Sequence, residues 1–163
     1  MLILYIAGLS TVNISATRRE IHTEVVINAP ASRVWQVLID FEAYQHWNPF
    51  IRSVSGIVKP GNRISVQMLL GNRTMTFRPT VLAVEHGKEL RWLGHLFIPG
   101  IFDGEHSFVI NPVGENQVLL IQSEKFNGLL VLFSGGLLET TERSFKAMNQ
   151  AIKERSEHIN QKK

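Results

Sequence analysis

Between Ile51 and Phe126 the chain repeats one pattern, short runs of alternating apolar and polar residues, each cut off by a turn too short to cross a sheet. The separators are Lys59-Pro60-Gly61-Asn62, Gly71-Asn72, His86-Gly87, Pro99-Gly100 and Pro112 to Asn116. Proline presets φ in such turns, and glycine and asparagine supply the positive φ that other residues avoid. A parallel crossover needs a dozen or more residues, so consecutive strands here are antiparallel neighbours. The alternation runs through Ile64, Val66, Met68 and Leu70, then Met75, Phe77 and Val81, then Leu90 and Trp92. It continues through Phe102, His106, Phe108 and Ile110, and ends with Val118, Leu120 and Phe126. The pattern predicts a meander of six strands.

The flanks are of two kinds. Glu20 to Asn28 alternates as a half-buried strand through Ile21, Thr23, Val25 and Ile27, and is expected at an edge of the sheet. After Pro30, which has no amide hydrogen to lose in a first helical turn, Ala31, Val34, Trp35 and Leu38 share one helical face. Asp40 to Trp47 holds a second short helical piece, stopped at Asn48-Pro49 because the residue before proline avoids the α region. From Leu138 the helical period is sustained through Thr141, Phe145, Met148, Ile152 and Ile159, with Glu142, Arg143, Lys146, Lys153, Glu154 and Glu157 on the opposite face. A sheet with one apolar face and one long amphipathic helix satisfies both by laying the helix across that face, which makes the fold class α+β.

One domain is expected from 163 residues of which 44% are hydrophobic and 19% charged. The absence of cysteine excludes disulfides, thiolate metal sites and a cysteine nucleophile, and makes a cytoplasmic location the default. The net charge is +3, but Arg18, Arg19, Arg52, Lys59, Arg63, Arg73 and Arg78 are scattered and no aromatic-interleaved basic stripe appears, so no nucleic-acid partner is expected. Met1 to Leu9 and Leu129 to Leu138 are both apolar but shorter than the ~20 residues of a membrane span, so no stable membrane insertion is expected. Residues 1–18 read as an extension of the kind an early start codon produces, and residues 19–163 as the domain. The histidines at 22, 46, 86, 95, 106 and 158 form no spacing that puts two metal ligands on one face; His95 and Asp103 approach across a hairpin but are one ligand short of three.

The order of strand, two short helices, meander and long helix resembles the SRPBCC superfamily of START, Bet v 1 and polyketide-cyclase-like proteins, the helix-grip fold. The resemblance is carried by VVINAPASRVWQVLIDFEAYQHWNPF (Val25 to Phe50), the turn at Pro60, ELRWLG from Glu89, GEHSFVINP from Gly104, EKFNG from Glu124 and SFKAMNQAIKE on the last helix. It covers Glu20 to about His158 and is specific for the fold rather than for one activity. It implies a curved sheet of about seven strands around the C-terminal helix, and an internal cavity for a small hydrophobic molecule that is lipid-like, aromatic or polyketide-like. No cofactor is implied.

The expected cavity lining is Trp47 and Phe50 from the first turn, Met68, Met75, Phe77 and Trp92 from the early strands, Phe102, His106, Phe108, Glu124 and Phe126 from the late strands, and Phe133, Leu137 and Phe145 from the last helix and its entry. If Pro99-Gly100 closes a hairpin, Trp92 faces His106 and Gly94 faces Gly104, setting two bulky groups beside two absent side chains. Pairing through the next turn is expected to set Gln122 beside His106 and Glu124 beside Gly104. Cavities are mostly apolar with a few placed polar groups, so these residues would orient a ligand; as core groups they would instead satisfy one another. A register slip of one residue would turn all of them to solvent. His106 and Glu124 are also the candidates for moving protons in a cyclase or dehydratase. A third alternative is an interaction module or homodimer meeting its partner near the last helix. Gly135 and Gly136 each weaken a helix by ~1 kcal/mol relative to alanine, so the start of the last helix is expected to flex, and the resemblance, in which this part of the fold frames the pocket mouth, implies a gate there.

Overall fold

The computed structural model describes residues 18–96 and 98–158, without the side chains of Leu132 and Phe133. The alternation of Ile21, Thr23, Val25 and Ile27 produces β1 (Arg18–Ile27), which pairs antiparallel with the last strand and forms a sheet edge. Pro30 is the cap of α1 (Ala31–Ile39) rather than part of its first turn: its carbonyl accepts hydrogen bonds from the Arg33 and Val34 amides. Val34, Trp35, Val37 and Leu38 are buried along the predicted face. A 3-10 turn (Phe41–Ala43) leads into α2 (Tyr44–Trp47), and the buried Tyr44 hydroxyl donates to the Leu38 carbonyl, tying the two helices together. Asn48 then ends α2, its side-chain oxygen accepting from the amides of Phe50 and Ile51 at 2.9 Å each, so the chain turns into the sheet with its amides satisfied.

The meander contains seven strands, not six, in two sheets. β2 (Ile51–Ser55), β3 (Ser65–Leu70) and β4 (Arg73–Phe77) form one; β5 (Thr80–Glu85), β6 (Glu89–Leu96), β7 (Phe102–Gly114) and β8 (Gln117–Asn127) join β1 in the order β1-β8-β7-β6-β5. The run expected as one strand through Met75, Phe77 and Val81 is broken at Arg78-Pro79. Proline cannot donate to a ladder, and here its carbonyl accepts from the Ile64 amide at 3.0 Å while the Val81 amide donates to Asn62 at 2.8 Å. This corner passes the chain from one sheet to the other.

Across the concave side lies α3 (Gly135–His158), packed on β1, β3, β8 and α1, with Phe145, Met148 and Ile152 fully buried. Gly135 and Gly136 are its first residues, where a side chain would meet only open space, rather than an interruption within it. Ser134 closes the preceding 3-10 turn (Leu129–Phe133), and its carbonyl accepts the Leu138 amide at 2.9 Å. Ile159 and the apolar Met1 to Leu9 fall outside the described residues.

Candidate functional site

The hairpin closed by Pro99-Gly100 has the predicted register, with Trp92 opposite His106 and Gly94 opposite Gly104. Inward positions nearer the other end of these strands are filled by Leu90 and Phe108, both fully buried. At the glycine pair there is no side chain, and a cavity of about 90 Å³ opens there. Aromatic rings form much of its wall: Phe50 behind α2, Phe77 on β4, Trp92 on β6, Phe102 on β7 and Phe126 on β8. Met68, Leu70 and Met75 complete the β3–β4 side, while Leu137 and Thr141 of α3 face it from across the gap. Met75 and Leu137 are 37% and 38% exposed, so they mark where the cavity meets solvent.

The β7–β8 register differs from expectation by two residues: Glu124 lies opposite His106, Gln122 opposite Phe108 and Phe126 opposite Gly104. The loop is only Glu115-Asn116, with a bulge between Pro112 and Gly114, instead of a longer turn spanning Pro112 to Asn116. An even shift keeps every side chain on its face, so His106, Gln122 and Glu124 still point inward. Gln122 Nε2 donates to His106 Nε2 at 3.0 Å and reaches Met148 Sδ at 3.7 Å, which places the imidazole proton on Nδ1. That Nδ1 faces Glu124 Oε2 at 3.8 Å, too long for a hydrogen bond. Rings surround the imidazole, with centroids of Phe108, Phe145 and Trp92 at 4.7, 4.8 and 5.2 Å. Desolvation holds its pKa down at about 3, and the same cause pushes Glu124 up to about 8. Glu124 reaches the cavity because a Cβ on Gly104 would come within 2.5 Å of its Oε1; glycine leaves the carboxyl room to lie over the strand.

Of the residues singled out from sequence, Phe50, Met68, Met75, Phe77, Trp92, Phe102, Glu124, Phe126 and Leu137 stand around this cavity. His106, Phe108 and Phe145 do not. They are buried behind its wall, because the aromatic stacking that holds the imidazole also fills that space. Trp47 is displaced further: it lies in a separate groove against α3, with the Arg155 guanidinium 5.6 Å from its ring. The Phe133 side chain is outside the described part. Sequence reasoning missed Leu70, Pro79, His95, Leu96 and Thr141 as cavity residues. Pro79 and Thr141 had signals available, the first as a strand breaker and the second as the polar member of the α3 inner face. His95 Nδ1 meets Asp103 Oδ1 at 2.7 Å, and Asp103 also accepts the Gly100 amide, so this pair clamps the hairpin loop. Among the described residues no three His, Cys, Asp or Glu side chains cluster to hold a metal, and no helix is long and apolar enough to cross a membrane.

A curved antiparallel sheet gripping a long C-terminal helix around an apolar gap defines a protein of the helix-grip class, the fold of START and Bet v 1 proteins. The chain belongs to the polyketide cyclase / dehydrase and lipid transport family, which it matches over residues 18–157. Among solved structures it is similar to the Zhui aromatase/cyclase from Streptomyces sp. R1128, with a TM-score of 0.73 and 16% identity over 89% of this chain and 97% of that one. A START superfamily protein from Mycobacterium smegmatis gives 0.68 and 19% over 86% and 98% of the two chains. Norcoclaurine synthase from Thalictrum flavum gives 0.62 and 13% over 90% and 97%. At these identities the likeness is one of fold. No curated protein matches the chain.

Proposed function

We propose that the protein binds one small hydrophobic molecule in the cavity between the sheet and α3. The carrying observation is the paired absence of side chains at Gly94 and Gly104 within a ring of aromatic walls, a void that a packed core would not retain. The cavity, about 90 Å³, is below the roughly 300–1,000 Å³ of pockets that enclose a drug-sized ligand. A guest ring the size of an aromatic side chain buries roughly 150–250 Å², and at about 25 cal/mol/Å² that supplies ~4–6 kcal/mol. Micromolar binding needs about 8 kcal/mol. A ligand bound that tightly extends past Met75 and Leu137, whose unbranched or half-exposed side chains can swing outward. Native mass spectrometry of protein purified from cells, followed by titration with fatty acids, sterols and flavonoids, tests this reading; a protein that carries nothing and takes up none of the three sinks it.

A second reading is favoured by the approach of His106 to Glu124 at the cavity's edge. In it the protein is a cyclase or dehydratase acting on a polyketide-like chain, with Glu124 exchanging a proton with the bound substrate beside the buried His106 ring. Its check is turnover of a linear poly-β-ketone by the wild type and by Glu124→Gln. Equal rates in the two would remove Glu124 from any reaction.

A further inference from the structure

The polar equipment of the cavity is one-sided, and that restricts what the guest can be. Among the described residues, no lysine or arginine stands on the cavity wall. The groups that face Glu124 or share its wall are few. His106 on β7 is one, already spending its Nε2 lone pair on Gln122; His95 on β6 is another, tied to Asp103. Ile21 is the β1 partner of Glu124, and α3 contributes Thr141 and Leu137. Lys125 is exposed. Among the described residues nothing therefore offers a positive charge to a carboxylate, and a buried charge without a partner is costly enough to be neutralised instead. The Glu124 carboxyl lies over Gly104, with Oε1 on the side of the cavity, and His106 Nδ1 at 3.8 Å from Oε2 makes no hydrogen bond to it.

We infer that the cavity selects uncharged ring compounds bearing a carbonyl or similar neutral hydrogen-bond acceptor, with the Glu124 carboxyl as the donor that reads it, and that it rejects carboxylates such as fatty acids. The inference rests on the cavity being the ligand site and narrows the guest to one chemical class. A ligand acceptor meets an otherwise unused O–H in an apolar surround, where a satisfied donor counts and an unsatisfied one is penalised. A ligand carboxylate meets an acid with no cation nearby. With burial holding Glu124 up to about 8, the donor is present at neutral pH and disappears in mild alkali.

Three naphthalenes of one shape decide the matter: 2-acetylnaphthalene with a neutral acceptor, 2-ethylnaphthalene with none and 2-naphthoate with a charge. Isothermal titration of the full chain at pH 6.5 should give binding of the ketone about tenfold tighter than the hydrocarbon, and no binding of the naphthoate. Ketone affinity should fall as the pH passes 8 in the wild type and stay level in Glu124→Gln, which keeps an N–H donor at all pH values. In Glu124→Leu the ketone and the hydrocarbon should bind alike. If all three bind equally, or the naphthoate binds best, selection by Glu124 is overturned while the pocket stands; if none binds, the ligand-site reading falls with it.

Discussion

The inward positions of β6, β7 and β8 carry Leu90, Phe108, Ile110 and Leu120 toward one end, and Gly94, Gly104 and Glu124 toward the other. The first set is fully or almost fully buried; the second lines the cavity. The β6–β7 ladder is unbroken from Glu89 to Leu96, so backbone pairing does not make the gap. It is made by omission, since two glycines face each other across a ladder where their neighbours bring large side chains, and α3 bridges the deficit because Phe145, Met148 and Ile152 are already anchored on the filled end. The filled half thus supports the half that carries the cavity.

The largest effect that could break this contrast is in the packing itself. Phe108→Ala removes a fully buried ring that stacks on His106, and should destabilise the protein by ~3–5 kcal/mol. Met75→Ala, at a partly exposed site beside the cavity, should change stability by less than about 1 kcal/mol. Urea unfolding of both variants measures the difference, and equal losses would mean that the two ends are packed alike.

Electrostatics sharpens the contrast with a smaller effect. Burial moves Glu124 from 4.5 to about 8 and His106 from 6.5 to about 3. For His106 the unfolded state binds the extra proton between those limits, so stability is lost as pH falls from 6.5 toward 3. For Glu124 the folded state binds it, so stability is fully present below 4.5 and declines as pH rises toward 8. The two slopes oppose each other between 4.5 and 6.5, leaving a maximum there and a fall of about 2 kcal/mol from 6.5 to 8. Glu124→Gln should flatten that alkaline limb and leave the acid limb intact. Unfolding curves at pH 5, 6.5 and 8 would show it, and an unchanged alkaline limb in the variant would clear Glu124 of the effect.

Much of the filled half is legible in the sequence, because period and burial coincide there: the faces of Val34, Trp35 and Leu38 and of Phe145, Met148 and Ile152 are the buried ones. The Gly94–Gly104 juxtaposition is also legible, since a single turn, Pro99-Gly100, fixes it. What the sequence hides are features set by two elements at once. The β7–β8 register depends on a bulge between Pro112 and Gly114 that alternation alone does not reveal, and the sheet corner at Pro79 looks like a continuing strand because Phe77 and Val81 have matching parity. Trp47 is misplaced for a related reason. It follows the helical face of α2 toward Arg155, whereas Phe50, three residues later and beyond the Asn48 turn, points into the cavity.

The smallest expected change in stability carries the clearest functional outcome, at Gly94. Its φ lies outside the left-handed region, and a Cβ there meets only Pro79 Cβ at 3.7 Å and the Gly104 carbonyl at 4.0 Å, ordinary contacts. Gly94→Val therefore fits the strand, and removing a glycine from a strand interior gains roughly 0.5–1 kcal/mol, offset in part by crowding. The added methyl groups enter a cavity of only about 90 Å³ and occupy much of it. The variant should melt within a few degrees of the wild type and lose uptake of 2-acetylnaphthalene by tenfold or more. Gly61→Val is the matched control, a turn glycine with nothing within 4 Å whose φ of +87° makes any side chain strained; it should cost stability and leave uptake unchanged. Uptake that survives Gly94→Val with the fold intact would mean that the paired glycines shape the sheet but not the site, and that the guest lies elsewhere along α3.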